Sequence, residues 1–469
     1  MRTTKLATLG LTTALVLQPA LLSAQTLSPD QQAFFGLYKE LVETNTTLSA
    51  GSCTQAADQI ATRLKAAGYG DAEITKFSVP DHPKEGGLVA ILPGSDKKLK
   101  PMLLLGHIDV VEAKREDWVR DPFKLSEEDG YYYARGTVDD KAMSAIWADS
   151  MIRFKSEGYK PKRAIKLALT CGEETTFAWN GAQWLAKNKP DLIAAQFVLN
   201  EGGGGRIDAQ GKRQVLAMQV GEKAAQNYTF AATNPGGHSS QPVPDNAIYE
   251  LADAVEAVRA YEFPVKFTDT TRAFFTATAK SVPGPVSAAI TQLLTDPNDA
   301  AADKIVSQDK TFHSTLRTTC VATLLNAGHA ENALPQRATA NINCRIFPGE
   351  TVEATLAKLQ ELAGPKVKVS INQPIRPTAI PTPLDPKILG PATTLAAKHF
   401  PGVPVVPLMS TGATDGIFFQ AIGMPVYGVP GIFIDSDFNG VHGLNERIRV
   451  KSLYDGRAYL YDLVKVYAG

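Results

Sequence analysis

The spacing of apolar residues divides the chain into alternating helices and strands. Apolar side chains recur every three or four positions from residue 29, over 54–67 and over 142–156, which predicts three amphipathic helices. An apolar run at 102–105 predicts a buried strand, and the alternation of apolar residues over 165–171 predicts another strand. Further strands are predicted at 72–77, 88–92, 197–199 and 405–409. This alternation favours an α/β fold with a layered sheet, in which loops at strand ends carry the polar residues.

The pattern changes near Val220. The following elements are predicted in the order strand 226–233, helix 247–258, strands 318–326 and 337–346, helix 351–362 and strand 366–371. This β-α-β-β-α-β order predicts a ferredoxin-like domain inserted into the larger one. Residues 264–316 exceed what that fold needs and are expected to elaborate the inserted domain. A proline-rich segment at 374–386 predicts a linker that returns to the α/β domain.

The first 24 residues have the features of a secretory signal peptide. Arg2 and Lys5 precede an apolar stretch at 6–22, and cleavage is expected after Ala24. A retained membrane anchor is disfavoured because Gln18-Pro19 interrupts a stretch that is already short for a span. We therefore predict a periplasmic or secreted protein. The predicted division is signal peptide 1–24, catalytic domain 25–219, inserted domain 220–375 and catalytic domain 376–469.

Composition and charge limit the classes of partner that the chain is expected to bind. The chain has 44% hydrophobic and 20% charged residues and a formal charge of zero, which is ordinary for a globular protein. Nucleic acid, and a membrane after signal cleavage, are not expected as partners, because neither a basic excess nor a basic stripe is present. Cys320 and Cys344 would lie about opposite each other if the two predicted strands that carry them pair. They are then expected to form either a disulfide or two buried thiols.

Imidazole and carboxylate groups recur where predicted strands end, and two adjacent acids, Asp139 and Asp140, come just before a predicted helix. The positions are His107 and Asp109, Asp139 and Asp140, Glu173 and Glu174, Glu201, and His442. Histidine and carboxylate ligands with a coordinated water are what a hydrolytic metal site uses. Adjacent glutamates at a strand end point to opposite sides, so one can ligate a metal while the other acts as a base.

The segments that carry these residues resemble those of one enzyme family. They read, in order, GHIDVV, ARGTVDDK, GEET, NEGG, VGEK, NPGGHSS, NALP, CRIFPG, GATDG and VHGLNER. Their order is similar to that of the aminoacylase, glutamate carboxypeptidase and carnosinase family of dinuclear zinc metallopeptidases, and most similar to its carboxypeptidase S-like branch. The resemblance implies a zinc-peptidase α/β/α sandwich with an inserted ferredoxin-like lid or dimerisation domain.

The resemblance also implies a metal centre. It places His107 and Glu201 on one zinc ion, Glu174 and His442 on the other, and Asp139 between them, with Mn²⁺ or Co²⁺ as substitutes. Asp109 would hold the second nitrogen of His107. Asp140 is either a second such partner or simply a charged residue at a helix start. Several relatives have aspartate where Glu201 stands, and Asn200 replaces an acid of some relatives.

Catalysis and substrate binding follow from the same resemblance. Glu173 would act as general base on a metal-bridging water, His238 would stabilise the oxyanion and Arg345 would grip the substrate carboxylate. Asn332, Gly412 and Thr414 would complete the substrate site. In dimeric relatives the histidine reaches the neighbouring subunit's site, so a homodimer through the lid is one expectation and a monomer the other.

These observations predict an exported zinc hydrolase that cleaves the amide bond next to a free C-terminal carboxylate, as a carboxypeptidase or dipeptidase. Two alternatives stay open. The substrate is an N-acyl amino acid rather than a small peptide, or the chain is a non-catalytic periplasmic peptide-binding protein. The presence of Glu173 beside all five ligand positions argues against the second alternative, because a binding protein needs no base.

Overall fold

The computed structural model describes residues 27–175, 179–429 and 431–469, so the predicted signal peptide lies outside the described residues. The strands are β1 (Ile74–Val79), β2 (His82–Leu92), β3 (Met102–His107), β4 (Ser126–Glu128), β5 (Tyr131–Tyr133), β6 (Ile165–Thr170), β7 (Phe197–Asn200), β8 (Gly203–Ile207), β9 (Arg213–Glu222), β10 (Ala224–Thr233), β11 (Gly237–His238), β12 (Thr319–Ala327), β13 (Ala333–Leu334), β14 (Arg337–Ile346), β15 (Val367–Ile371), β16 (Val405–Ser410), β17 (Val426–Gly428), β18 (Phe433–Ile434) and β19 (Arg447–Arg449).

The helices match the predicted amphipathic segments and add several more. They are α1 (Pro29–Glu43), α2 (Cys53–Ala66), α3 (Lys141–Ser156), α4 (Gly181–Asn188), α5 (Pro190–Ile193), α6 (Ala247–Ala260), α7 (Asp269–Thr278), α8 (Gly284–Thr295), α9 (Ala300–Val306), α10 (Lys310–Leu316), α11 (Val352–Ala363), α12 (Pro386–His399), α13 (Gly416–Gln420) and α14 (Val450–Ala468). Within the described ranges, no helix combines the length and apolar composition needed to cross a membrane.

A mixed central sheet forms the middle layer. Its strands lie in the order β1-β2-β6-β3-β7-β17-β9-β8-β18, with β16 also paired to β9. The neighbours β6, β3, β7 and β17 run parallel, and both faces of these strands are buried. Helices cover both faces, with α1, α2, α3, α12 and α14 on one and α4 and α13 on the other. The predicted α/β class is confirmed.

A second sheet, made of β10, β12, β14 and β15, is antiparallel throughout. Its strand order is β12-β14-β10-β15, and α6 and α11 pack on it. This order is the one that a ferredoxin-like β-α-β-β-α-β chain forms. The register places Cys320 opposite Cys344, and the two form a disulfide, which decides between the two alternatives for this pair. The domain limits at 219/220 and 375/376 stay a prediction.

The segment beyond the ferredoxin-like elements folds into the four helices α7 to α10. They enclose a small apolar core of their own, which includes Phe275, Ile290, Leu293 and Leu316. Helix α7 packs against β16, so this segment contacts the central sheet.

Candidate active site

Three parallel strands bring four of the predicted residues to one edge of the central sheet. Strand β3 pairs in parallel with both β6 and β7, so the carboxyl ends of all three lie side by side. His107 is the last residue of β3, Glu201 directly follows β7, and Glu173-Glu174 follow β6. Polar groups collect here because backbone and side chains leave the buried layer at the same edge.

Asp139 lies between two groups of potential metal ligands. Its Oδ1 is 3.1 Å from Nε2 of His107, which is itself 3.7 Å from Oε1 of Glu201. Its Oδ2 is 3.1 Å from Nε2 of His442, which is 2.9 Å from Oε2 of Glu174. In each group, one ligand atom per residue lies within 4.8 Å of the others. One carboxylate therefore faces both groups, as a bridging ligand would.

The charges of this edge favour bound cations. Burial raises the pKa of Glu173 and Glu201 well above the usual range, because each carboxylate loses water in the presence of other acids. Burial alone would lower the pKa of His107, but the carboxylates of Glu201 and Asp109 raise it well above its ordinary value. Hydrogen bonds to Asp139 and Glu174 raise the pKa of His442 to about 10. So many buried acids need compensating positive charge.

Asp109 connects two parts of the site through its main chain and side chain. Nδ1 of His107 lies 3.1 Å from the main-chain carbonyl oxygen of Asp109 and 3.6 Å from its Oδ1, so the hydrogen bond goes to the carbonyl. The carboxylate instead accepts the backbone N–H groups of Glu173 at 3.3 Å and Glu174 at 3.0 Å. Asp109 thereby orients both the His107 ring and the turn that carries the two glutamates.

Glu446 is a buried residue of the site that the sequence analysis missed. Its carboxylate accepts hydrogen bonds from the backbone N–H groups of Gly136, Val138 and Asp139. It also forms a buried ion pair at 2.8 Å with Arg135, which donates to the carbonyl of Gly443 as well. Glu446 therefore fixes the loop of Asp139 to the loop of His442. Both loops lie in the quoted segments, but residue type alone does not distinguish a structural acid from a ligand.

A second disulfide, also missed, lies directly before the glutamate turn. Cys53 is the first residue of α2, and it is bonded to Cys171, which precedes Gly172 and Glu173. The Sγ atom of each cysteine lies within 4.8 Å of a carboxylate oxygen of Asp109. Cysteines 118 positions apart carry no sequence signal for pairing, because only the fold brings α2 next to β6.

The arginine cavity, named for Arg345, opens in front of the second ligand group. It has a volume of about 380 Å³, and its lining includes Glu173, Glu174, Arg345, Thr414 and His442. The carboxyl group of Glu173 and the guanidinium of Arg345 thus face one space. Oγ1 of Thr414 accepts a hydrogen bond from Asn200, and its backbone N–H donates to Glu222, so the glycine-rich turn is held in place.

Asp140, Gly412, Asn332 and His238 lie outside the arginine cavity. Asp140 is buried at the start of α3, and Gly412 donates its N–H to Ser410 within its own turn. His238 and Asn332 are exposed on the small sheet formed by β11 and β13, where the N–H of Ser239 donates to the carbonyl of Asn332. Within one chain, the structure therefore does not bring His238 or Asn332 to the ligand groups.

Comparison with known proteins places the chain in a family. The model of the peptidase family M20/M25/M40 matches residues 103–466, which is more than half of the chain and includes both ligand groups. The chain belongs to the peptidase family M20/M25/M40. This membership confirms the resemblance found in the sequence, and it identifies the M20 chain as an enzyme of the metallopeptidase and amidohydrolase class.

The individual relatives of this chain have two kinds of name. The chain is 30% identical over 404 residues to N-fatty-acyl-amino acid synthase/hydrolase PM20D1 from Homo sapiens, with 83% of this chain and 79% of the relative covered. It is 28% identical over 383 residues to probable carboxypeptidase S-like 2 from Dictyostelium discoideum, with 79% and 72% covered. The M20 family metallo-carboxypeptidase Sso-CP2 from Sulfolobus solfataricus superposes with a TM-score of 0.72 at 17% identity, covering 94% of this chain and 100% of that one.

The donor set of this M20 chain fits two divalent cations. Each group offers one imidazole nitrogen and carboxylate oxygens, and Asp139 is shared. Imidazole and carboxylate suit Zn²⁺, and also Mn²⁺ and Co²⁺. The buried carboxylates at this edge supply the negative charge that two cations would balance.

Proposed function

We propose that the chain is an exported hydrolase with two zinc ions that cleaves the amide bond next to a free C-terminal carboxylate. One observation carries the proposal. The carboxylate of Asp139 faces both ligand groups, while Glu173 and Arg345 line the adjoining arginine cavity. Cation ligands, a base and a carboxylate-binding group are thus arranged around one space of suitable size for a small substrate.

The proposed ligands divide between two ions. His107 and Glu201 would hold one, Glu174 and His442 the other, and Asp139 both, with Mn²⁺ or Co²⁺ as substitutes for zinc. When bound, such ions lower the pKa of water and polarise a substrate carbonyl. Asp109 and Glu446 keep the ligands oriented through the hydrogen bonds described above.

Glu173 moves the proton in this scheme. It takes a proton from the attacking water as the new C–O bond forms at the carbonyl carbon, and it passes that proton to the leaving nitrogen as the C–N bond breaks. The products are a carboxylic acid and an amine. Glu173 therefore begins as a carboxylate, holds the proton as a carboxylic acid between the two steps, and ends as a carboxylate again.

Arg345 would recognise the substrate's free carboxylate. Its guanidinium is partly buried on β14, and among the described residues no carboxylate oxygen lies within 4 Å of it. Guanidinium binds a carboxylate through two parallel hydrogen bonds, which fixes orientation as well as charge. Glu173 lies on the same cavity, so a carboxylate held by Arg345 places the neighbouring amide toward the base.

Hydrolysis of N-acyl amino acids is the second candidate function. The human relative of 30% identity is named for N-fatty-acyl amino acids, whereas the Dictyostelium relative is named as a carboxypeptidase. Both substrate types present an amide next to a free carboxylate, so Arg345 and Glu173 would act identically on them. The group on the acyl side of the amide distinguishes the two.

A homodimer through the second sheet would complete the site. On edge strand β12, Val321, Leu324 and Leu325 are 59%, 72% and 65% exposed to solvent. Apolar side chains this exposed are unusual on an unpaired edge strand. His238 is exposed and lies away from the arginine cavity of its own chain. We propose that two chains pair along β12 and that His238 of each reaches the other's site as an oxyanion donor.

Export to the periplasm or secretion is supported by the disulfides. All four cysteines are paired, and structural disulfides persist mainly in oxidising compartments. The signal-like residues 1–24 would direct the export. Cleavage after Ala24 would be checked by N-terminal sequencing of the protein recovered from periplasm or medium.

The test is hydrolysis of dipeptides and N-acyl amino acids by the purified mature protein before and after chelation. Mass spectrometry would count the metals. We expect release of the C-terminal amino acid, loss of turnover on chelation, its return with Zn²⁺ and two metals per chain. Two metals without turnover of any amide would favour the binding-protein alternative, and absence of metal would contradict the ligand assignment.

A further inference from the structure

A second cavity adjoins the other ligand group and differs in chemistry from the arginine cavity. This apolar cavity has a volume of about 270 Å³ and touches Asp139 and Glu201. Its apolar lining consists of Val138, Met143, Ile432, Ile434, Phe438 and Val441. The arginine cavity instead touches Glu174 and His442. The two cavities thus meet the ligand groups from different sides.

This arrangement divides a bound substrate into two halves. A substrate whose carboxylate is held by Arg345 has its amino-acid half in the arginine cavity and its amide near Asp139. The group on the carbonyl side then extends toward Glu201 and the apolar cavity. We infer that this cavity binds an apolar acyl chain of medium length, so that the substrates are N-acyl amino acids. The inference rests on the proposed function and decides between its two substrate classes.

The charges around the apolar cavity argue against a peptide. The first residue of a dipeptide would bring an ammonium group to this side of the amide. Asp139 and Glu201 belong to the proposed ligand set, and Asp140 is buried at the start of α3. The remaining charged side chain of the lining is Arg206, whose guanidinium lies 4.1 Å from the ring centre of Phe438. A cation there repels an ammonium group but tolerates an uncharged chain.

Gly204 leaves part of one wall open, whereas an added Cβ at Gly202 or Gly203 would meet Gln219 or Ala217. Residues Gly202, Gly203 and Gly204 line the cavity. At Gly204, φ is +127°, and an added Cβ would meet no atom within 4 Å, so that part of the wall adjoins open space. At the rim, Phe438 is 56% exposed although it is a large apolar side chain. Its ring lies between the Arg206 guanidinium and solvent at the mouth of the cavity, where a bound acyl chain would cover it.

The first experiment measures kcat/KM of the zinc-loaded enzyme on one amino acid carrying acetyl, butanoyl, octanoyl or hexadecanoyl groups, and on the matching dipeptides. A buried methylene contributes up to about fourfold. We expect kcat/KM to rise at least about 30-fold from acetyl to octanoyl, and dipeptides to be poorer than the acetyl compound. Preference for dipeptides, or no dependence on acyl length, would overturn the inference while leaving the proposed function intact.

Substitutions in the cavity lining test whether the preference for longer acyl groups arises there. Phe438→Ala should lower the octanoyl-to-acetyl ratio of kcat/KM about tenfold, and Ile434→Trp, which fills the cavity, should lower it further. Leu444→Ala is the matched control, because Leu444 is 55% exposed on the same loop but does not line the cavity. Its ratio should equal that of the wild type. A Phe438→Ala ratio equal to the wild type would overturn the assignment.

Binding separates this inference from the proposed function. Zinc-loaded Glu173→Gln should bind the octanoyl compound at least about tenfold more tightly than the acetyl compound by calorimetry. If no amide is hydrolysed but this difference is found, the proposed function fails and the cavity assignment stands. Equal binding of the two compounds would overturn the assignment.

Discussion

The ligand edge of the central sheet and the outer part of the second sheet differ in how firmly their proposed functional residues are held. At the ligand edge, Asp139 is fixed by its neighbours and by Glu446, and both are buried or half-buried. On the second sheet, His238 and Asn332 are exposed on a two-stranded ribbon, and β12 presents apolar side chains to solvent.

On the function proposed above, one chain supplies the whole ligand set but needs a second chain to complete the catalytic site. Parallel strands deliver side chains to a common edge without help from another molecule. The second sheet instead ends in surfaces that a partner would cover. Ligand residues should therefore act within one chain, and His238 between chains.

Removing the base should have the largest effect at the ligand edge. Glu173→Gln keeps the side-chain volume but cannot accept a proton, so we expect turnover to fall at least about 10³-fold. The variant should still contain two metals by mass spectrometry, because Glu173 is outside both ligand groups. Unchanged turnover would contradict the role of Glu173.

Removing the exposed histidine should have the next largest effect. His238→Ala should lower kcat about 100-fold by removing an oxyanion donor, with metal content unchanged. When Glu173→Gln and His238→Ala chains are co-expressed in equal amounts, about half the dimers are mixed and each contains one complete site. About a quarter of wild-type activity should return. No recovery would place His238 in its own chain's site, and full activity of His238→Ala alone would place it outside catalysis.

The buried ion pair at the ligand edge tests whether Glu446 positions the ligands, with an ion pair among the added helices as its control. Glu446→Gln breaks the pair with Arg135 and loosens the loop of Asp139, so metal affinity should fall about 10- to 100-fold by competition with a chelator. Asp303→Asn is the matched control, because it removes one of the two ion-pair partners of the buried Arg317 among the added helices. Both variants should lose stability by a few kcal/mol. Only the first should lose metal.

The two disulfides should have the smallest effect on activity. Serine replacement of Cys53 and Cys171 opens a link of 118 positions, and loop entropy alone predicts a loss of about 5 kcal/mol of unfolding free energy. The same change at Cys320 and Cys344, 24 positions apart, predicts about 3.5 kcal/mol. Activity should fall severalfold only in the first variant, because that link holds the glutamate turn. Equal activity in both would contradict this distinction.

The sequence predicted the parts of the site that local pattern determines. Strand ends at His107 and Glu201 follow from short apolar runs, and the segment order led directly to the family. The parallel neighbours β6, β3 and β7 then bring these ends together, which periodicity alone does not specify. The register of Cys320 and Cys344 was also predictable, because both strands were recognised.

Other features depend on contacts between distant segments. Glu446 meets the backbone of Asp139 across 307 positions, and Cys53 meets Cys171 across 118. The apolar cavity is likewise assembled from three separate parts of the chain, at 138–143, 201–206 and 431–441. Such contacts follow from the packed fold rather than from any local spacing, so single-sequence reasoning had no signal for them.

A single residue, Lys223, separates β9 of the central sheet from β10 of the second sheet, and it is buried. For a rotation of the second sheet about this connection, the displacement of a residue would grow with its distance from Lys223. Arg345 lies opposite Ala225, beside this connection, whereas His238 lies beyond the far end of β10, about 30 Å of strand away. Such a rotation would therefore displace His238, the proposed oxyanion donor, much farther than Arg345, which is proposed to bind the substrate carboxylate.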